Sequence, residues 1–209
     1  MTKILLVRHG HVEGISPQRF RGQIDLPLTE TGLAQASALG IRIDGEWRPA
    51  AVYTGPLQRA VATGDAIAKA TGTQLRELKS FIDIDYGDWQ GHTLEEVKGH
   101  SPALFALWRH APQLMRFPGG DSLQDLIARG ADALRFALDH HHDETIVFVG
   151  HDSVNKAILL QVLDQPTSAY WRLTQDPCAL NEFEITRSHT HVISLNDTRH
   201  LAGLADALS

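Results

Sequence analysis

The sequence predicts an α/β protein: a three-layer α/β/α architecture on a mostly parallel sheet, with a small helical lid inserted. Three observations carry this. The runs Ile4–Val7, Ala51–Thr54 and Ile146–Val149 are short and continuously apolar, so they read as strands buried on both faces. Segments with helical spacing alternate with them, as crossover connections between parallel strands require. The chain has 209 residues, 43% hydrophobic and 21% charged, which suits one domain with a sizeable core. That domain is expected to span residues 1–209, with the insertion at about 85–120.

The elements follow in order. Ile4–Val7 is the first strand. Residues 11–28 are loop-like, rich in Gly, Pro and polar residues. Thr29 is a plausible N-cap for a helix carrying Leu33, Ala36, Leu39 and Ile43 at helical spacing. Ala51–Thr54 is a second strand. Pro56 suits the first turn of a helix with Val61, Ala62, Ala66, Ile67 and Ala70 on one side, stopped by Gly72. Gln74–Leu78 reads as a third strand. Residues 80–120 are irregular, then helical, and close with "FPGG". A helix runs from Ser122 to about Leu138, a strand over Ile146–Val149, and a helix from about Ser153 to Leu163. Leu180–Ile185 and His191–Leu195 read as two last strands forming an antiparallel edge.

Composition narrows the function classes. The formal net charge is −6 and no basic stripe stands out, which argues against a nucleic-acid partner. A single cysteine, Cys178, rules out an intrachain disulfide and suits a reducing compartment, so a cytoplasmic location is expected; the residue itself reads as small core filling. No secretory leader pattern and no stretch of ~20 apolar residues are found, so no membrane association is expected. The triplet His140–His142 with Asp143 reads as a solvated loop, because three successive side chains cannot converge on one metal ion. Trp47, Trp89, Trp108 and Trp171 are explained by core packing as well as by binding. The oligomeric state stays open, a homodimer included.

Two buried strands end alike, in "LLVRHG" and "VFVGHD". Ligands of open α/β sheets bind beyond the carboxyl ends of strands, so His9 and His151 reach one site. Arg59, on the first turn of the helix after "YTGPLQRA", joins them, and Arg8 precedes His9. Guanidinium forks suit phosphate oxygens, and the nearby helix N-termini favour an anion. A histidine among arginines stays neutral and is a competent nucleophile toward phosphorus. A proton donor is also required, and "FIDIDYGDWQG" offers Asp83, Asp85 and Asp88. On strand-like alternation Asp83 and Asp85 share a face.

Six segments in order resemble the histidine phosphatase superfamily, the phosphoglycerate mutase-like group: "LLVRHG", "RFRGQIDLPLTETG", "YTGPLQRAVATG", "DIDYGDWQG", "FPGGDSL" and "FVGHDSV". The resemblance implies His9 as the nucleophile that becomes a phosphohistidine. It implies Arg8, Arg59 and His151 as the phosphate pocket, with His151 also in the catalytic set. It implies Asp83 as the proton donor, where the family usually has glutamate, with Asp85 as the alternative. No cofactor and no metal are implied. The sequence departs from the family pattern in several places. Ile15 stands where an asparagine usually contacts phosphate, and His11 and Val12 where acid and hydroxyl residues are usual. Arg21 either adds a compensating charge to the pocket or is a solvent-facing loop residue. Asp152, where glycine is usual, either orients His151, shapes the entrance or caps the next helix, a place Ser153 would fill equally well.

The implied activity is a metal-independent phosphomonoesterase acting on a small-molecule phosphate ester. Residues 92–118 are compact and hold only Lys98, Arg109 and Arg116 as basic residues. Bisphosphate-using mutases of the family carry a longer basic insertion there, so hydrolysis is favoured over a phosphoglycerate mutase-type transfer. The apolar residues of this region, Leu104, Phe105, Leu107, Trp108, Leu114, Met115 and Phe117, are expected mainly to pack, with some facing the substrate. The reading from a different class is a non-catalytic phosphate-ligand module.

Overall fold

The computed structural model describes residues 1–15 and 18–204. One six-stranded sheet runs through it: β1 (Thr2–Arg8), β2 (Ala51–Thr54), β3 (Leu75–Glu77), β4 (Thr145–Gly150), β5 (Leu180–Ile185) and β6 (Thr190–Asp197), in the order β3-β2-β4-β1-β5-β6. The first four of these positions are parallel, and β5 and β6 pair antiparallel beside β1. The helices are α1 (Glu30–Glu46), α2 (Gln58–Thr71), α3 (Leu94–His100), α4 (Pro102–His110), α5 (Leu123–His140) and α6 (Asp152–Val162).

Strand alternation divides the core in two. Leu5, Val7, Val52, Val147 and Val149 face α1 and α2; Ile4, Leu6, Tyr53, Ile146 and Phe148 face α5 and α6. Both faces are covered, which is why β1 and β4 are apolar without interruption. β1 and β4 are neighbours, yet the helices that follow them pack on opposite faces. A crevice must open between their carboxyl ends, and this is where open α/β sheets place ligands.

Helix starts follow the local chemistry. Thr29 Oγ1 accepts from the Gly32 amide at 3.1 Å, and Ser122 with Asp125 forms a capping box on α5. Gly72 ends α2 in the left-handed conformation at φ 67°.

The faces of two helices differ from expectation. In α1 the buried stripe is Gly32, Ala36, Leu39, Gly40 and Ile43, while Leu33 is 54% exposed, one residue and so about 100° off the stripe. In α2 the sheet side is Arg59, Ala60, Thr63, Gly64, Ile67 and Ala68. Val61, Ala62 and Ala66 flank it and Ala70 is exposed. Alanines on every side gave the apolar pattern no clear phase. Pro56 precedes the helix; the Asp25 carboxylate caps the Gln58 amide at 2.8 Å.

His141 is also not in a solvated loop. It is buried at the end of α5, with its ring nitrogens 2.8 Å from the Tyr53 hydroxyl and 2.7 Å from Glu144. Its flanking residues are both exposed, but His140 is the last residue of α5, so only His142 fits the loop reading. Residues 205–209 of the domain expected over 1–209, and positions 16 and 17 of the expected first loop, lie outside the described residues.

Candidate active site

The ends of β1 and β4 are in register, with Arg8 opposite Gly150. The next residues are His9 and His151, so the pairing itself brings them together. Their ring centroids lie 5.1 Å apart. The backbone at His9 is fixed on both sides: its N–H donates to the Gly150 carbonyl at 3.0 Å and its carbonyl accepts from Cys178 N–H at 3.2 Å. Cys178 is buried core, with its thiol pushed up to about 12 by burial.

Hydrogen bonds assign the two imidazole tautomers. His9 Nδ1 lies 2.7 Å from the Gly10 carbonyl, which only accepts, so Nδ1 carries the proton and Nε2 the lone pair. His151 Nδ1 accepts from Arg59 Nε at 3.2 Å, so His151 carries its proton on Nε2. That Nε2 is buried with no partner. One histidine thus presents a nucleophile and the other a donor. Both are neutral. Burial, then His151, Arg8 and Arg59, hold His9 well below its ordinary value. Burial brings His151 down to about 3 despite the opposing pull of Asp83.

Arg59 is fully buried behind the histidines. It donates to His151, to the Ile24 and Gly22 carbonyls at 2.7 and 2.6 Å, and to Asp83 Oδ2 at 3.0 Å. Asp83 Oδ1 accepts from the Ile84 amide at 2.9 Å and from the Ser153 hydroxyl. Burial alone would raise the Asp83 carboxyl, but His151, Arg59 and these donors hold it below the usual carboxylate value. Arg8 donates to the Gln175 carbonyl and keeps its buried Nε unpaired.

Arg8, His9 and Asp83 reach the wall of a cavity of about 400 Å³, which Arg21 also lines; the fully buried His151 and Arg59 stand behind them and are not part of that wall. Arg21 is therefore a pocket residue rather than a solvent-facing one; it donates to the Gly14 carbonyl, and burial and Arg8 lower its pKa. Ile15 also lines the cavity and brings no polar group. Asp85 does not line it: its Oδ1 accepts from the Gly87 amide at 2.8 Å and shapes a turn. Asp152 and Ser153 line the cavity, and neither caps α6; Asp152 pairs with Lys156 at 3.0 Å and Ser153 serves Asp83. Phe105 and Trp108 of the region between β3 and α5 face the cavity, whereas Leu104 and Leu114 point to solvent.

Sequence reasoning passed over Ser153 as the partner of Asp83, and Lys156 and Trp171 as cavity wall. Only for Lys156 was there a signal: it lies one turn beyond Asp152 and five residues beyond His151 on one helix. Among the described residues, no group of three or more His, Cys, Asp or Glu side chains is placed to hold a metal ion.

A cationic crevice with a neutral histidine pair, entered from the ends of two parallel strands, defines a phosphoryl-group site. The chain belongs to the histidine phosphatase superfamily, branch 1, whose family model matches residues 4–198. It is 30% identical over 201 residues to phosphoserine phosphatase 1 of Hydrogenobacter thermophilus, covering 96% of this chain and 95% of that protein. It is 31% identical over 206 residues to a metal-independent phosphoserine phosphatase of Arabidopsis thaliana, covering 98% and 85%. Among solved structures it is similar to YhfR of Bacillus stearothermophilus, with a TM-score of 0.90, 28% identity and coverage of 96% and 100%. A mutant phosphoserine phosphatase of Entamoeba histolytica in complex with phosphoserine superposes with a TM-score of 0.85 at 26% identity, covering 96% and 100%.

Proposed function

We propose that this chain is a phosphomonoesterase that hydrolyses small-molecule phosphate esters through a phosphohistidine on His9. The observation that carries the reading is the tautomer pair: a lone pair on buried His9 beside a protonated, unpartnered Nε2 on His151. The relatives named as phosphoserine phosphatases support the same class. Arg8, Arg21, Arg59 and His151 hold the non-bridging oxygens and spread the charge of the transferring group. His9 Nε2 attacks phosphorus as the bond to the ester oxygen breaks, and Asp83 gives that oxygen a proton. Water then attacks phosphorus, and the bond from phosphorus to His9 Nε2 breaks. Asp83, now a carboxylate, takes the water's proton, and phosphate and free His9 result.

Asp83 is ionised before substrate arrives. A phosphate dianion placed beside it raises its pKa and loads it with the proton the first step needs. The cytoplasm suits a chain with one buried cysteine. No helix among the described residues is long and apolar enough to cross a membrane.

Rapid acid- and alkali-quench of the enzyme mixed with a radiolabelled phosphate ester tests the reading. The label is expected on His9, labile in acid and stable in alkali. His9→Ala is expected to lose the label and about 1,000-fold or more in turnover, since no other group replaces the covalent step. Turnover near that of the wild type in His9→Ala would overturn it.

A further inference from the structure

The groups around Asp83 leave its proton one way out. Arg59, always cationic, donates to Oδ2 at 3.0 Å and keeps the negative charge on that oxygen. The proton that Asp83 takes up when substrate binds therefore goes to Oδ1. Two groups touch Oδ1: the Ile84 amide at 2.9 Å and the Ser153 hydroxyl. An amide N–H only donates, whereas a hydroxyl both donates and accepts. His151 Nδ1, 3.6 Å from Oδ2, already has its lone pair on Arg59. Of the groups hydrogen-bonded to the carboxylate, Ser153 alone can accept its proton.

Ser153 is also placed to pass that proton on. It lines the cavity, yet only 2% of it is exposed, so its hydroxyl faces the site rather than bulk solvent. It comes from a different element than the acid, the first turn of α6. There the unpaired amides and the helix dipole favour any negative charge that develops on Oγ. The Ile84 amide lies 3.4 Å from Oγ as well, so one N–H ties the acid and the hydroxyl together.

Resting on the phosphatase reading, we infer that Ser153 is a further catalytic residue, whose hydroxyl relays the proton between Asp83 and the ester oxygen. While Asp83 is ionised, Ser153 donates to it. Once Asp83 is protonated the bond reverses: Oδ1–H donates to Oγ, and the serine O–H turns to the cavity. As the phosphorus–oxygen bond breaks, its electron pair stays on the ester oxygen. That oxygen takes the serine proton while Oγ takes the one from Asp83. The products are an alcohol, phosphohistidine, an intact serine and a carboxylate. In the second step the attacking water gives its proton to Oγ, and the serine's own proton returns to Asp83. The relay lengthens the reach of a short acid by one oxygen.

A proton inventory tests this. Single turnovers of phosphoserine and of glycerol 3-phosphate are timed in mixtures of H2O and D2O. Two protons moving together bow the plot of rate against deuterium fraction; direct transfer from Asp83 gives a straight line. The wild type is expected to give the bow, and a straight line would overturn the relay with no variant needed. Ser153→Ala is expected to lower these rates by about tenfold or more and to straighten the plot, with a far smaller loss on p-nitrophenyl phosphate, whose leaving group needs no proton. Ser153→Thr keeps a hydroxyl and is expected to regain both rate and bow. A Ser153→Ala rate on the alkyl esters within about twofold of the wild type would overturn the relay. So would a wild type that turns over p-nitrophenyl phosphate and neither alkyl ester. Failure of every ester, p-nitrophenyl phosphate included, would instead overturn the phosphatase reading itself.

Discussion

At the scale of single residues, the phosphatase reading rests its proton transfer on Asp83. It is one methylene shorter than the family's usual glutamate, and its carboxylate is held from two directions by Arg59 and Ser153. A short acid gains in fixed position what it loses in reach. Asp83→Asn keeps the size and removes the proton. It is expected to lower kcat on alkyl phosphate esters by about 10²- to 10⁴-fold, the usual worth of a general acid. The loss with p-nitrophenyl phosphate is expected to be far smaller, because nitrophenolate leaves without a proton. Asp85→Asn keeps an oxygen to accept from the Gly87 amide, removes only the carboxylate charge, and is expected to leave this leaving-group dependence as in the wild type. Measuring both variants on both esters separates the two acids, and a leaving-group effect that follows Asp85 would reverse the assignment.

At the scale of elements, what was legible was whatever the strands dictate. β1 and β4 are buried on both sides, so their apolar runs are unbroken and end where the polar residues begin. The placing of His9, His151 and Arg59 follows from that. Pairings across loops were not legible: Ser153 reaches Asp83 over 70 residues of sequence, and Arg21 is turned inward by a loop with no periodicity. Gly10, the last residue of "LLVRHG", shows the same limit. A Cβ on Gly10 would lie 2.6 Å from the Gly32 carbonyl oxygen, and one on Gly32 would strike the His11 backbone. Gly10 and Gly32 thus let the first turn of α1 pack on the chain that leaves His9. Gly32→Ala pits backbone against backbone and is expected to destabilise by about 1–3 kcal/mol, the usual range for overpacking. Because α1 must move away from residues 10 and 11, KM for p-nitrophenyl phosphate should rise with it. A chemical-denaturation curve and a saturation curve check the two effects, and an unchanged midpoint would mean that the contact is slack.

For the whole molecule, the site is a source of acid lability. His9 and His151 are buried and neutral in the folded chain, His9 held well below the ordinary 6.5 and His151 brought down to about 3. In the unfolded chain both protonate near 6.5. Between that value and the folded ones the unfolded state binds more protons, so stability falls as the pH falls. Each histidine contributes a slope of about 1.4 kcal/mol per pH unit once the pH is well below 6.5. His200, half-buried beside Arg42 and brought down to about 4 chiefly by burial, adds in the same direction. Asp83 acts lower. Its folded pKa is depressed, so its stabilisation is complete above about 3.9 and is lost only on further acidification. Urea unfolding should therefore give a nearly level stability from pH 8 to 7 and a steepening decline through pH 6 and 5. His151→Gln cannot take up a proton and should reduce that slope by one histidine's share, whatever it does to stability at pH 8. A wild-type curve level down to pH 5, or a His151→Gln slope equal to the wild type's, would show that the charged forms of these histidines are tolerated in the fold. The proposed role of His9 as a neutral nucleophile would then need another explanation.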